Sequence, residues 1–155
     1  MMKALLLAAV VAAPVLPMHA QADVTAPVRK FIEAFNKGDS QAAYATFASG
    51  NISIVDEFAP HQWVGPHAPQ DWVADYDKHA AATGVTDGKV TYGPATRTEI
   101  EGARAYVVLP TVYLYKEHGK PTREEGQVTA VLHKEAGVWK MRGWTWTGVK
   151  PHPGK

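Results

Sequence analysis

The chain has 155 residues, 46% of them hydrophobic and 20% charged, with 16 basic against 15 acidic side chains and a net charge of +1. This is the make-up of one ordinary globular domain; it excludes two large domains and offers nothing to a polyanion such as nucleic acid. The absence of cysteine removes disulfides, thiolate metal ligands, thiol nucleophiles and lipoprotein attachment.

Lys3 precedes the apolar run Ala4 to Leu16, and Ala20-Gln21-Ala22 follows as a small-x-small site. Residues 1–22 therefore read as a signal peptide for bacterial export, and the expected location is periplasmic or secreted. The alternative is a retained anchor, but the run is broken by Pro14, ends at Pro17 and falls short of the roughly 20 residues that a spanning helix needs. No stable membrane insertion is expected after cleavage. The domain is expected over 23–149, with equal numbers of acidic and basic side chains once Lys3 is gone, and 150–155 as a flexible tail.

From Thr25 onward Val28, Phe31, Ile32 and Phe35 fall at i, i+3, i+4 and i+7, an amphipathic helix with Pro27 in its first turn and Gly38 as its stop. Asp39 caps a second, shorter helix that runs toward Ser49-Gly50. Ile52 and Ile54 alternate with Ser53 and Val55 as a strand ending at Asp56. The stretch Phe58 to Pro69, with three prolines, Gly65 and two histidines, reads as loop. A third helix starts near Pro69, carries Trp72 and Tyr76 four apart on one face, and stops at Gly84. Five strands follow, over Lys89 to Tyr92, Thr96 to Ile100, Ala103 to Tyr115, Gly126 to Lys134 and Val138 to Thr147, joined by short polar turns. Helices first and an antiparallel sheet afterwards make an α+β fold.

The order and its motifs resemble the nuclear transport factor 2-like superfamily, which includes the SnoaL-like cyclases and ketosteroid isomerases. F-I-E-A-F-N-K-G-D from Phe31, the following A-A-Y-x-x-F, I-S-I-V-D at Ile52 to Asp56, W-V-G at Trp63 to Gly65 and the closing V-L-H-K-E-x-G-V-W-K-M carry the likeness over nearly all of the chain after residue 22. It implies a cone: a curved antiparallel sheet wrapped around N-terminal helices, a cystatin-like roll, with a cavity between them and a homodimer through the outer sheet surface. It also implies that the isomerase's catalytic base falls at Asp56, while the tyrosine donor falls at Phe31 and the protonated acid at Thr129. A tryptophan of the last strand falls at Trp146. With two donors replaced, steroid-type isomerisation by that route loses on the order of 3 kcal/mol per donor.

Strand parity places side chains on alternating faces. In the register that the resemblance implies, Thr129, Val131 and His133 point into the cone, as do Arg142, Trp144 and Trp146. Trp139 and Met141 then fall on the opposite face, for packing or a dimer contact. Asp56 is expected as base or polar anchor, with His133 or Thr129 as donor. Phe31, Phe35, Trp63, Tyr76, Tyr113, Val131, Trp144 and Trp146 are expected to line a site for a small apolar or aromatic molecule. The plainer alternatives are a turn-capping Asp56, a solvent-facing His133 and indoles that are simply core.

His61 and His67, six apart, with His79 further on, lack the spacing of a helical zinc pair, so neither metal nor other cofactor is expected. There is no Gly-rich phosphate loop, no nucleophile elbow and no basic aromatic patch for nucleic acid. Three readings remain: a binder of a small apolar molecule, an isomerase- or cyclase-like enzyme using Asp56, and a dimeric interaction module with a filled cone.

Overall fold

The computed structural model describes residues 23–154; the expected signal peptide lies outside them. Helix α1 (Ala26–Lys37) buries Val28, Phe31 and Ile32, has Pro27 in its first turn, and ends at Gly38 with φ 67°. Only a residue without Cβ takes that left-handed turn at little cost. Asp39 then accepts a hydrogen bond from the Ala42 amide and caps α2 (Ser40–Tyr44), which is shorter than the sequence pattern suggests.

Strand β1 (Ile52–Val55) is followed by β2 (Gln62–Gly65), inside the stretch read as loop. Helix α3 (Ala68–Thr83) leads into β3 (Val85–Tyr92), β4 (Arg97–Glu101), β5 (Arg104–Glu117), β6 (Lys120–Glu135), β7 (Val138–Gly148) and the short β8 (His152–Pro153). The sheet runs β2-β1-β7-β6-β5-β3, with β4 on β5 and β8 on β6; every pair is antiparallel except β1 with β7. Along β5 the outer partner changes from β4 at Arg104–Val108 to β3 at Thr111–Glu117. One long strand thus serves two partners, and the sheet opens around the helices. This is the α+β cone expected from the sequence.

The core lies between α1 and the concave sheet face. Phe31 meets Phe47 and Trp144 at ring-centroid distances of 5.6 and 5.4 Å. Asn36 exchanges two hydrogen bonds of 2.8 Å with the Val90 backbone and fixes α1 to β3.

Two expectations about facing need correction. On β6 the buried residues are Thr122, Glu124, Val128, Ala130 and Leu132, whereas Val131 is 47% exposed. Thr129, Val131 and His133 therefore lie off the concave face. A period-2 strand turns over completely with a one-residue shift of register, and the register assumed from the resemblance was off by one. On β7, Leu132 pairs with Met141 but Val131 with Gly143, so Arg142 is the extra residue of a bulge. The bulge resets parity: Trp139, Met141 and Trp144 are all buried, and beyond the bulge Trp144 and Trp146 line the cavity. Arg142 instead donates to the Ser49 carbonyl at 2.6 Å. The last residues, expected as a frayed tail, pair with Thr122 and Arg123.

Candidate functional site

Between the sheet, α1 and α3 lies an open cavity of about 320 Å³, a volume suited to a small organic molecule. Its apolar wall comes from Phe31 and Phe35 on α1, Trp72 and Tyr76 on α3, and Trp144 and Trp146 on β7. Trp72 stands edge-on to Trp144 at 5.2 Å and stacks on Tyr76 at 5.7 Å. Trp72, Tyr76 and His79 share one helical face, which turns the polar part of α3 toward the same hollow.

The polar wall begins at Asp56, directly after β1. Its Oδ2 accepts the Trp72 indole N–H at 2.9 Å and its Oδ1 accepts the Glu57 amide at 2.8 Å. Burial pushes the carboxyl above its ordinary pKa; the two donors oppose this, the negative charge of Glu124 adds to it and His79 opposes it. Glu57 is pushed up to about 8, by loss of solvent first and by the Glu124 carboxyl beside it second. Glu124 is 2% exposed; the Tyr115 hydroxyl donates to its Oε1 at 2.5 Å. Tyr113 and Tyr76 join hydroxyls at 2.6 Å, and burial raises both phenols.

Asp56, Phe31, Phe35, Tyr76, Tyr113, Trp144 and Trp146 thus line one hollow. His133, Thr129, Val131 and Trp63 do not. His133 pairs with Arg104 and Lys140 at the far end of β6. Thr129 pairs with Val108 and Thr145, and Val131 with Tyr106 and Gly143. Trp63 is buried behind the cavity, where its ring supports Phe58 at 5.1 Å and its N–H reaches Asp75 at 3.0 Å. Among the described residues no cluster of three or more potential ligating side chains could hold a metal ion.

Sequence reasoning missed Glu57, Glu124, Tyr115 and His79. His79 was legible as the i+7 member of the Trp72, Tyr76 face. Glu124 was legible only by extending the β6 alternation Val128, Ala130, Leu132 backwards through Gly126, across a polar segment that gives no strand signal of its own.

Trp146 depends on two glycines that face each other across β6 and β7, Gly126 and Gly148. A Cβ on Gly148 would lie 2.1 Å from the Trp146 ring, and one on Gly126 would lie 2.6 Å from it. The indole lies over bare backbone, and its N–H donates to Thr111 at 3.2 Å.

No family model and no curated protein matches the chain. Solved structures do. The ketosteroid isomerase-like protein of Erwinia carotovora atroseptica superposes with a TM-score of 0.65 at 20% identity, over 86% of this chain and 99% of that one. A hexachlorocyclohexane dehydrochlorinase of Novosphingobium barchaimii gives 0.67 at 13% identity, over 83% and 88%. A nuclear transport factor 2-like protein of unknown function from Shewanella oneidensis gives 0.57 at 16%, over 80% and 95%. The chain has the nuclear transport factor 2-like fold. At these identities the likeness is one of fold, and a nuclear transport factor 2-like cone hosts more than one chemistry. What this cone does must be argued from its own cavity.

Proposed function

We propose that the protein binds a small, mainly apolar molecule in the cavity, with Asp56 as a polar anchor. The observation that carries this reading is the shared hollow: the carboxyl after β1 and the indoles of Trp144 and Trp146 line the same open space of about 320 Å³. A filled cone, as an interaction module requires, would leave no such space. The test is a tryptophan fluorescence titration with small aromatic compounds. Saturable quenching that Trp146→Ala weakens supports the reading; no quenching by any of them rejects it.

A second reading is favoured by the state of Asp56. A carboxyl raised by burial and fixed by two donors, with Glu124 and phenols across from it, is placed to take a proton from carbon beside a carbonyl. This is isomerase- or lyase-type acid–base chemistry without metal, and the names of the isomerase-like and dehydrochlorinase neighbours are in keeping with it. It predicts solvent-deuterium uptake at the α-carbon of a bound ketone, absent in Asp56→Asn. Exchange no faster than buffer rejects it.

The leader expected over residues 1–22 supports a periplasmic or secreted setting. A homodimer through the outer sheet face belongs to the same reading, supported by paired Tyr106 and Val131, 37% and 47% exposed; sedimentation of the purified domain as a monomer would reject it.

A further inference from the structure

The side-chain donors on the cavity wall can be followed one by one. The Trp72 N–H goes to Asp56, the Trp146 N–H to Thr111, the Tyr115 hydroxyl to Glu124 and the Thr83 hydroxyl to the His79 carbonyl. Glu57 holds its proton against Glu124, Trp144 Nε1 is enclosed, and the His79 side chain is exposed to water. Tyr76 and Tyr113 differ. Their hydroxyls meet at 2.6 Å and have no other partner among the described residues. Two phenols hold two hydrogens and their mutual bond uses one, so one O–H is left to donate whichever of them gives first. Both side chains are half-buried and line the open hollow. Burial pushes both phenols up, so both keep their protons at neutral pH. A hydroxyl that accepts one hydrogen bond also donates the next more strongly.

Three elements build the pair. Tyr76 comes from α3, where Phe35 at 5.1 Å and Trp72 at 5.7 Å hold its ring. Tyr113 comes from β5 and stacks on Tyr115 at 4.6 Å. On β3 the register slips between Thr86 and Lys89, and Gly88 falls within the slip. A Cβ on Gly88 would lie 2.7 Å from the Tyr113 hydroxyl and 3.2 Å from that of Tyr76. The missing side chain leaves the two oxygens their seat.

We infer that the ligand carries a carbonyl oxygen on its aromatic or aliphatic body and that the Tyr76–Tyr113 pair binds it, one phenol donating to the other and the second to the carbonyl. This rests on the reading that the cavity binds a small, mainly apolar molecule; it names the polar group, and it holds whether or not Asp56 turns the ligand over. A carbonyl accepts without bringing a hydrogen that the surrounding rings would leave unpaired, as a hydroxyl would. A carboxylate would face Asp56, Glu117 and Glu124 on a wall whose described residues include no lysine or arginine.

The test is a pair of probes of one shape, acetophenone and α-methylstyrene, in which a methylene group replaces the oxygen. Both are titrated by calorimetry into the wild-type protein and the double variant Tyr76→Phe/Tyr113→Phe. Removing both partners at once keeps the ring shapes and leaves no orphaned hydroxyl. Acetophenone is expected to bind the double variant about tenfold more weakly than the wild type, as for a carbonyl buried without its donor, while α-methylstyrene binds it no more weakly. Equal losses for the two probes, or no loss for acetophenone, overturn the inference and leave the apolar-ligand reading standing. Failure of both probes to bind the wild type overturns both. Should the double variant not fold, the carbonyl ¹³C signal of labelled acetophenone bound to the wild type decides: a position at or downfield of that in water is expected, and one near that in hexane overturns the inference.

Discussion

The Trp72 indole N–H donates to Asp56 Oδ2 at 2.9 Å, so a helix residue sets the orientation of the carboxyl that ends the first strand. The hydrogen bond holds the Asp56 pKa down against the burial that raises it. Trp72→Phe removes the donor and keeps most of the ring. It is expected to raise the Asp56 pKa further and to destabilise the fold by about 1–3 kcal/mol at neutral pH, read by urea unfolding and by carboxyl NMR titration. An unchanged Asp56 titration would mean that the contact has no hold on the site.

Stability should fall as the pH rises through the neutral range. The folded-state pKa of Glu57, about 8, lies above its ordinary 4.5, so the native state holds a proton that the unfolded chain releases. That contribution is complete below about pH 4.5 and is lost as the pH rises through 8. Asp56, also raised, acts in the same direction. Glu57 is exposed on one side, so solvent screens part of the effect. Melting temperature against pH should decline between these values in the wild type and be flatter in Glu57→Gln; parallel curves would refute the assignment.

Gly148→Ala tests the seat of Trp146. The new methyl would collide with the ring and come within 2.8 Å of the Glu125 carbonyl, so neither neighbour yields cheaply. A loss of about 1–3 kcal/mol is expected, together with weakened quenching by aromatic ligands. A variant as stable and as responsive as the wild type would show that the indole does not need the bare backbone.

The chain reaches the cavity wall once more just before β8. Pro151 lines the cavity, and His152 pairs with Glu125 at 2.6 Å. A chain ending at Val149 should keep its secondary structure by circular dichroism, while ligands dissociate several-fold faster in stopped-flow measurements. Unchanged dissociation would remove β8 from the account of the site.

What the sequence made legible follows from which forces are local. Helix α1 was readable because its apolar stripe, Pro27 and Gly38 are local signals, and Asp56 because it ends a short alternating run. The inward face of β6 was not readable, since Thr122 to Gly126 alternate only when their partners on β5 are known. The bulge at Arg142 was hidden for the same reason. Period counting assumes an unbroken ladder, and one extra residue reverses every assignment beyond it. Strand β2 was masked by Gly65 and by Pro60 and Pro66 on either side of it, although Trp63 within it is 5% exposed and belongs to the core.

The five tryptophans provide the most direct test of the shared hollow. Trp72, Trp144 and Trp146 line it, while Trp63 and Trp139 do not. In a ¹H–¹⁵N spectrum with the indole signals assigned by single Trp→Phe variants, adding acetophenone or α-methylstyrene should displace the first three and leave the other two in place. Indole signals that all stay still, or that move together without regard to position, would contradict a ligand cavity between Asp56 and the last long strand.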